Sequence, residues 1–485
     1  MSEPLAGLEP RRLWALFSRL AAIPRPSGHE RQVADWVRSI AAENGWKSRA
    51  DAVGNLILGV PATPGHESAA TVVIQGHLDM VCEKNKDVVF DFMKDPIRLR
   101  IDGDWVRGTG TTLGADNGVG VAAALAAATD PAVVHGPLEL LLTVDEETGL
   151  TGAQGLDGAL ISGGTLLNLD SEEDGKLFVG CAGGGGCQID LDATMVPAPH
   201  SAAGLALSVT GLRGGHSGLE IHENRGNALK LLVRLLQAAR DGGLEFELAD
   251  LQGGSQHNAI PREAQATLAL EAPAASRMQG VVACMVEGFR DELWGIDEGL
   301  RLSCVTADRP AAVASRGDRD RLLDLLSVLP HGVLGMSPAI PGLVETSNNL
   351  ALVQRTAGTF RVVTSARSSV ASTRQAVVAS TLAAARLAGA RAEARAGYPG
   401  WKPNLDSPVL AVARTVFAEQ WGRAPEVTAV HAGLECGLVG EKVPGLDMIS
   451  FGPQIMGAHS PDERVQISSV QRFYRALTAI LRRLA

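Results

Sequence analysis

Three short apolar runs in the first part of the chain each end on residues that bind cations or move protons. The run ending at Gln75 continues into Gly76-His77-Leu78-Asp79, and the run ending at Val144 into Asp145-Glu146-Glu147. The run ending at Leu169 gives Asp170, followed by Ser171-Glu172-Glu173. Between the first two lies the turn Leu113-Gly114-Ala115-Asp116-Asn117-Gly118, and near the C-terminus the run Met448 to Phe451 leads to Gly457-Ala458-His459-Ser460. Two imidazoles with several carboxylates make the N/O donor set that suits Zn²⁺, Mn²⁺ or Co²⁺. Carboxylates buried together repel one another without cations, so their density favours metal. Each piece alone has a plainer reading: a turn with a hydrogen-bonded imidazole, a helix cap at Asp116-Asn117-Gly118, a solvated acidic loop at Asp145-Glu146-Glu147. The combination after separate strands is what points to one site.

The elements that must position these residues alternate between strand and helix. Ser27 and Glu30 are spaced as a capping box, and Val33, Trp36, Val37 and Ile40 then repeat at helical spacing until Gly45. Thr71 to Ile74, Leu138 to Val144 and Thr165 to Leu169 read as buried strands, with an Ala-rich helix from Val119 to Thr129 between the first two. This order predicts an α/β fold with an at least partly parallel sheet, and ligands of such sheets bind beyond the carboxyl ends of the strands. Two Gly- and Pro-rich stretches, CAGGGGC at Cys181 to Cys187 and GYPGWKP at Gly397 to Pro403, read as flexible connectors, since no G-K-[ST] follows them. Between them lie further strands (Leu205 to Val209, Ala266 to Leu270, Leu300 to Val305, Phe360 to Thr364) and helices (Ala228 to Ala239, Gln375 to Leu387). The predicted organisation is one α/β domain over 1–186 and 398–485, interrupted by an inserted domain over 187–397.

Composition narrows the function classes. The 485 residues carry 44 Lys and Arg against 54 Asp and Glu, a net charge of −10, with 20% charged and 45% hydrophobic residues. That excludes a disordered chain and argues against nucleic acid or an anionic membrane surface as partner. Six cysteines without a C-x-x-C pair exclude a disulfide framework and a zinc finger. Leu13, Leu16, Phe17 and Leu20 form a helical stripe rather than a signal peptide, and the longest apolar run, Val119 to Ala128, is about half of what a membrane span needs. The expectation is a cytoplasmic protein with no membrane partner.

The motifs also occur in an order that carries a resemblance. QGHLDMVCEKN from Gln75, GTTLGADNGVG from Gly110, DEETGLTGAQGL from Asp145, LDSEE from Leu169, GGHSGLEIH from Gly214, NAIPRE from Asn258, HAGLECGL from His431 and GAHSPDE from Gly457 follow one another. Together they closely resemble the aminoacyl-histidine (Xaa-His) dipeptidase branch of the dizinc metallopeptidase superfamily that includes aminoacylase and carboxypeptidase G. The resemblance implies a zinc-peptidase-like α/β catalytic domain with a mixed sheet, and an inserted α+β lid domain. It implies two divalent metal ions, zinc with cobalt or manganese as alternatives. His77 and Asp170 would bind one, Glu147 and His459 the other, and Asp116 would bridge them. Asp79 would orient the His77 imidazole and Glu146 would be the general base, activating a metal-bridging hydroxide for attack on the peptide carbonyl.

From the inserted domain the resemblance implies His216 as hydrogen-bond donor to the tetrahedral oxyanion. Asn258 and Arg367 are expected to contact the substrate amide and terminal carboxylate, and Glu435 the substrate amine. His222 and His257 read as ordinary polar residues, and Cys82 and Cys436 as small buried apolar ones. The resulting expectation is hydrolysis of small peptides, dipeptides of Xaa-His type such as carnosine included. The alternatives are an N-acyl-amino-acid amidohydrolase with the same dizinc site, and a non-catalytic metal- or peptide-binding homologue. The length of the insertion leaves open both a monomer and a homodimer paired through the lid.

Overall fold

In a computed structural model describing residues 4–485, the apolar runs form neighbouring strands of one eight-stranded sheet. Val72–His77 lies between Leu138–Thr143 and Thr165–Asn168, parallel to both, and Asp447–Ser450 continues the parallel set beside Thr165–Asn168. Leu56–Val60 and Lys47–Ala50 extend the sheet antiparallel on one side, and Lys176–Cys181 does so on the other, so the sheet is mixed. Every residue of Val72–His77 and Leu138–Thr143 is buried, which is why these strands are mainly apolar on both faces rather than alternating. Each buried Val, Ile or Leu here is worth about 1.5–3 kcal/mol of transfer free energy.

The Ala-rich helix spans Ala115–Thr129, and small residues let it lie close against the sheet. A Cβ at Gly76 would stand 2.2 Å from Asn117 Oδ1, and one at Gly120 2.6 Å from the Leu169 carbonyl oxygen. That close approach brings Asp116, at the start of the helix, over the ends of the Val72–His77 and Thr165–Asn168 strands.

By internal contacts the chain divides into two compact units. One runs to Cys181 and resumes with Trp401–Ala429 and Leu434–Ala485; the other comprises Ala182–Gly400 and Val430–Gly433. The second unit is built on a nine-stranded antiparallel sheet backed by the helices Ala228–Asp241, Ala272–Glu292, Arg316–Val328 and Ala371–Leu387. Leu229, Leu232, Leu236 and Phe289 lie in its core with Leu205, Leu207 and Leu268 of the sheet.

Two expectations are corrected. The glycine run is no flexible connector: Gly183–Asp192 is a strand of the second sheet, paired with Thr359–Ser368 on one side and Arg391–Tyr398 on the other. Its glycines answer a lack of room, since a Cβ at Gly184 would sit 2.4 Å from the Tyr398 ring and one at Gly186 2.1 Å from the Thr364 carbonyl oxygen. The second stretch is also anchored, by Trp401, which exchanges backbone hydrogen bonds with Cys181 at 2.9 and 3.0 Å. The chain therefore changes unit slightly before and slightly after the expected boundaries at 186/187 and 397/398. Among the described residues, no helix is long and apolar enough to cross a membrane.

Candidate active site

The strand ends of the first unit bring His77, Asp116, Glu147, Asp170 and His459 together. His77 Nε2 lies 3.1 Å from Asp116 Oδ1 and 3.3 Å from Asp170 Oδ1. His459 Nε2 lies 3.2 Å from Asp116 Oδ2 and 2.9 Å from Glu147 Oε2. Asp116 thus turns one oxygen toward each histidine, and two donor groups, His77–Asp116–Asp170 and Asp116–Glu147–His459, share it. Asp145 and His459 both adopt left-handed backbone (φ 51° and 63°), uncommon for residues with a Cβ, and these bends aim Glu146, Glu147 and the His459 ring.

Asp79 supports this arrangement from behind. Its Oδ1 lies 3.3 Å from His77 Nδ1, and its two oxygens accept the backbone N–H groups of Glu146 and Glu147 at 3.1 Å each. Ser27 donates its hydroxyl to Asp79 at 2.7 Å, and Glu30 accepts the Asp145 N–H at 3.0 Å. The expected capping box is therefore not formed; the helix begins at Arg31 without a side-chain cap, and its two capping residues serve the site instead. Burial opposes ionisation of Asp79, yet hydrogen bonds from His77, Ser27 and the Glu146 amide hold its carboxyl below the ordinary range.

The residues fit a pair of cations. Glu147 Oε1 and Asp170 Oδ1 are buried oxygens without a hydrogen-bond partner, groups that a cation would satisfy. Burial pushes the Asp170 carboxyl up to about 6, and hydrogen bonds to Asp116 and Glu147 push His459 up to about 11. Glu146 is raised well above the carboxylate range, by burial first and by the nearby charges of Asp170, Glu435 and Glu147 against the pull of His77.

Glu435 stands differently from expectation. It is fully buried and accepts hydrogen bonds from Gln75 Nε2 at 2.5 Å and the Thr143 hydroxyl at 2.6 Å. Gln75 in turn accepts from Asn168, and Asn168 from Ser450, so a row of polar side chains crosses four adjacent strands beneath the site. Glu435 belongs to this row, which leaves it no accessible surface for a substrate amine. The roles of Gln75, Thr143, Asn168, Ser450 and Arg25 are not legible in the sequence, and Ser27 reads there only as a helix cap. A signal existed at Gln75, Thr143, Asn168 and Ser450, polar positions at the ends of otherwise apolar strands.

Within the second unit, His216 and Arg367 are neighbours, Arg367 Nη2 lying 3.4 Å from His216 Nε2 and Nη1 donating to Tyr398 Oη at 3.0 Å. His216 Nδ1 accepts the backbone N–H groups of Gly218 and Leu219 at 3.3 and 3.1 Å, which leaves Nε2 to carry the proton. Burial, reinforced by Arg367, lowers its pKa to about 4, so the ring is a neutral donor at neutral pH. A hollow of about 90 Å³ lined by Arg367, Arg395, Tyr398, Ser365 and His257 adjoins it, so His257 belongs to a cationic recess. Asn258 is half-buried, and its carbonyl oxygen accepts the Ser217 N–H at 2.8 Å.

This fold and donor set agree with the sequence comparisons. Residues 73–483 match peptidase family M20/M25/M40, and the chain belongs to that family. It is 44% identical over 486 residues to the cytosol non-specific dipeptidase of Escherichia coli (strain K12), covering 99% of both chains. The crystal structure of aminoacylhistidine dipeptidase from Vibrio alginolyticus superposes with a TM-score of 0.92 at 42% identity, again over 99% of each chain. Aminopeptidase PepT from Bacillus cereus shares the fold at a TM-score of 0.56 and 17% identity, over 98% of this chain and 99% of its own.

Proposed function

We propose that this chain is a metal-dependent dipeptidase whose substrates include Xaa-His dipeptides. The observation that carries the reading is the pair of donor groups joined at Asp116; the two dipeptidase relatives at 44% and 42% identity support it. His77 and Asp170 would hold one divalent ion, Glu147 and His459 the other, and Asp116 both, zinc being the ion that such a donor set suits best. When bound, the ions supply Lewis acidity and a lowered pKa for water. Glu146, adjacent to Glu147 but outside the pair it forms with His459, takes the proton from the attacking water. The water oxygen bonds to the peptide carbonyl carbon, the C–N bond breaks, and Glu146 returns the proton to the departing amine.

His216 would donate through Nε2 to the oxygen that becomes negative during attack. Arg367 would take the substrate's terminal carboxylate and Asn258 its amide. The cytosolic name of the Escherichia coli relative supports a cytoplasmic location. The deciding experiment is a hydrolysis panel on chelator-stripped protein with zinc, cobalt or manganese restored. Cleavage of dipeptides with a free amine, Xaa-His among them, is expected. Preference for N-acyl amino acids would make the chain an amidohydrolase instead, and no hydrolysis with any metal would make it a binding protein.

A further inference from the structure

Glu463 follows His459 by one turn of loop and is 2% exposed, yet it faces no cationic side chain within ion-pair distance among the described residues. Its carboxylate is instead wrapped by backbone. Oε2 accepts the N–H groups of Leu113 and Gly114 at 2.6 and 2.9 Å, and Oε1 those of Ala115 and Asp116 at 2.8 and 3.3 Å. Four successive N–H groups converging on one anion form a nest, and left-handed Gly114 (φ 69°) makes the bend that closes it. From the opposite side the buried guanidinium of Arg25 donates to the Gly114 carbonyl at 2.5 Å, and to the Leu78 and Asp79 carbonyls at 2.9 and 2.7 Å. The backbone leading into Asp116 is thus gripped on both faces, and Arg25 ties it to the segment that carries His77 and Asp79.

We propose that Glu463 is a positioning residue for the metal centre: through the nest it fixes Asp116, and because it shares a loop with His459 it locks the spacing between those two ligands. This inference rests on the metal-centre reading above. Glutamine at 463 can accept through only one of its two terminal atoms and would turn an amine toward two N–H groups.

The test titrates chelator-stripped wild type, Glu463→Gln and Glu463→Asp with Co²⁺, following heat and the visible cobalt spectrum, alongside melting curves and kcat and KM at saturating metal. Affinity for at least one of two equivalents is expected to fall on the order of 10- to 100-fold in Glu463→Gln. Its cobalt spectrum should shift and its kcat fall, with KM little changed and Glu463→Asp intermediate. A lower melting temperature with wild-type cobalt affinities and spectrum would reduce Glu463 to a structural residue and overturn the proposal. If Glu463→Gln does not fold, the aspartate variant decides, wild-type cobalt binding by it counting against the proposal. Failure of the wild type itself to bind two equivalents would sink the metal-centre reading rather than this one.

Discussion

Asp79 Oδ1 stands 3.3 Å from His77 Nδ1 while the same carboxylate accepts the backbone N–H groups of Glu146 and Glu147. One side chain therefore faces the His77 ring and holds the backbone of the two glutamates next in the site. In Asp79→Asn one terminal atom becomes a donor facing donors. Divalent-metal affinity should drop about 10- to 100-fold, measured by titration of stripped protein; unchanged affinity with unchanged turnover would remove Asp79 from the site.

Glu146 makes no ion pair with either histidine, although its carboxylate lies within 4.8 Å of donor atoms of His77 and Glu147. Glu146→Ala should keep both metal equivalents while kcat falls on the order of 10²- to 10⁴-fold. Metal analysis and steady-state kinetics on one preparation check this, and substantial turnover in the loaded variant would refute the assignment.

On the proposed roles, His216 serves turnover and its neighbour Arg367 serves binding. His216→Ala should lower kcat by about 10²- to 10³-fold with little change in KM, as when comparable oxyanion donors are removed. Arg367→Lys loses the planar fork suited to a carboxylate and should chiefly raise KM. The opposite split between the two variants would reverse the roles.

A pH effect follows from His431, 7% exposed, whose Nε2 lies 2.7 Å from the Ser347 hydroxyl. Burial, with Arg367 nearby, lowers its pKa to about 3, against about 6.5 in an unfolded chain. As pH falls below about 6.5 the unfolded chain takes up a proton that the folded one refuses, so stability declines through the window from about 6.5 to about 3 and is level above it. His216 acts in the same direction. Between wild type and His431→Gln, the melting temperature of the wild type should lose more on acidification through this window; identical slopes would refute this.

The parts of the site that were legible in the sequence are those that interrupt an apolar run. His77, Asp145-Glu146-Glu147 and Asp170 announce themselves because they stand where largely apolar runs of buried parallel strands come to an end. Ser27 and Glu30 misled because their spacing satisfies a helix cap, while the partners they meet, Asp79 and the Asp145 amide, are distant in sequence. Glycines misled at Gly183 to Gly186 because composition does not separate a chain that needs freedom from one that needs room. Glu463 lies in the GAHSPDE motif without a legible role, since its partners are backbone N–H groups, which every residue except proline possesses. A carboxylate near site motifs suits a substrate amine, and only the side chains of Gln75 and Thr143 reveal that Glu435 is instead bonded within the fold.

The strand Asp447–Ser450 lies inside the catalytic sheet, between Thr165–Asn168 and Lys176–Cys181, although more than half the chain separates it from them. During synthesis from the N-terminus, the early strands, with His77, Asp116 and Asp170, leave the ribosome long before His459 exists. A polypeptide stalled or cut before its last few dozen residues lacks that strand, His459 and the Glu463 clamp together. On the proposed assignment, the residues that complete the second cation position and its backbone clamp are therefore the last of the site to be synthesised.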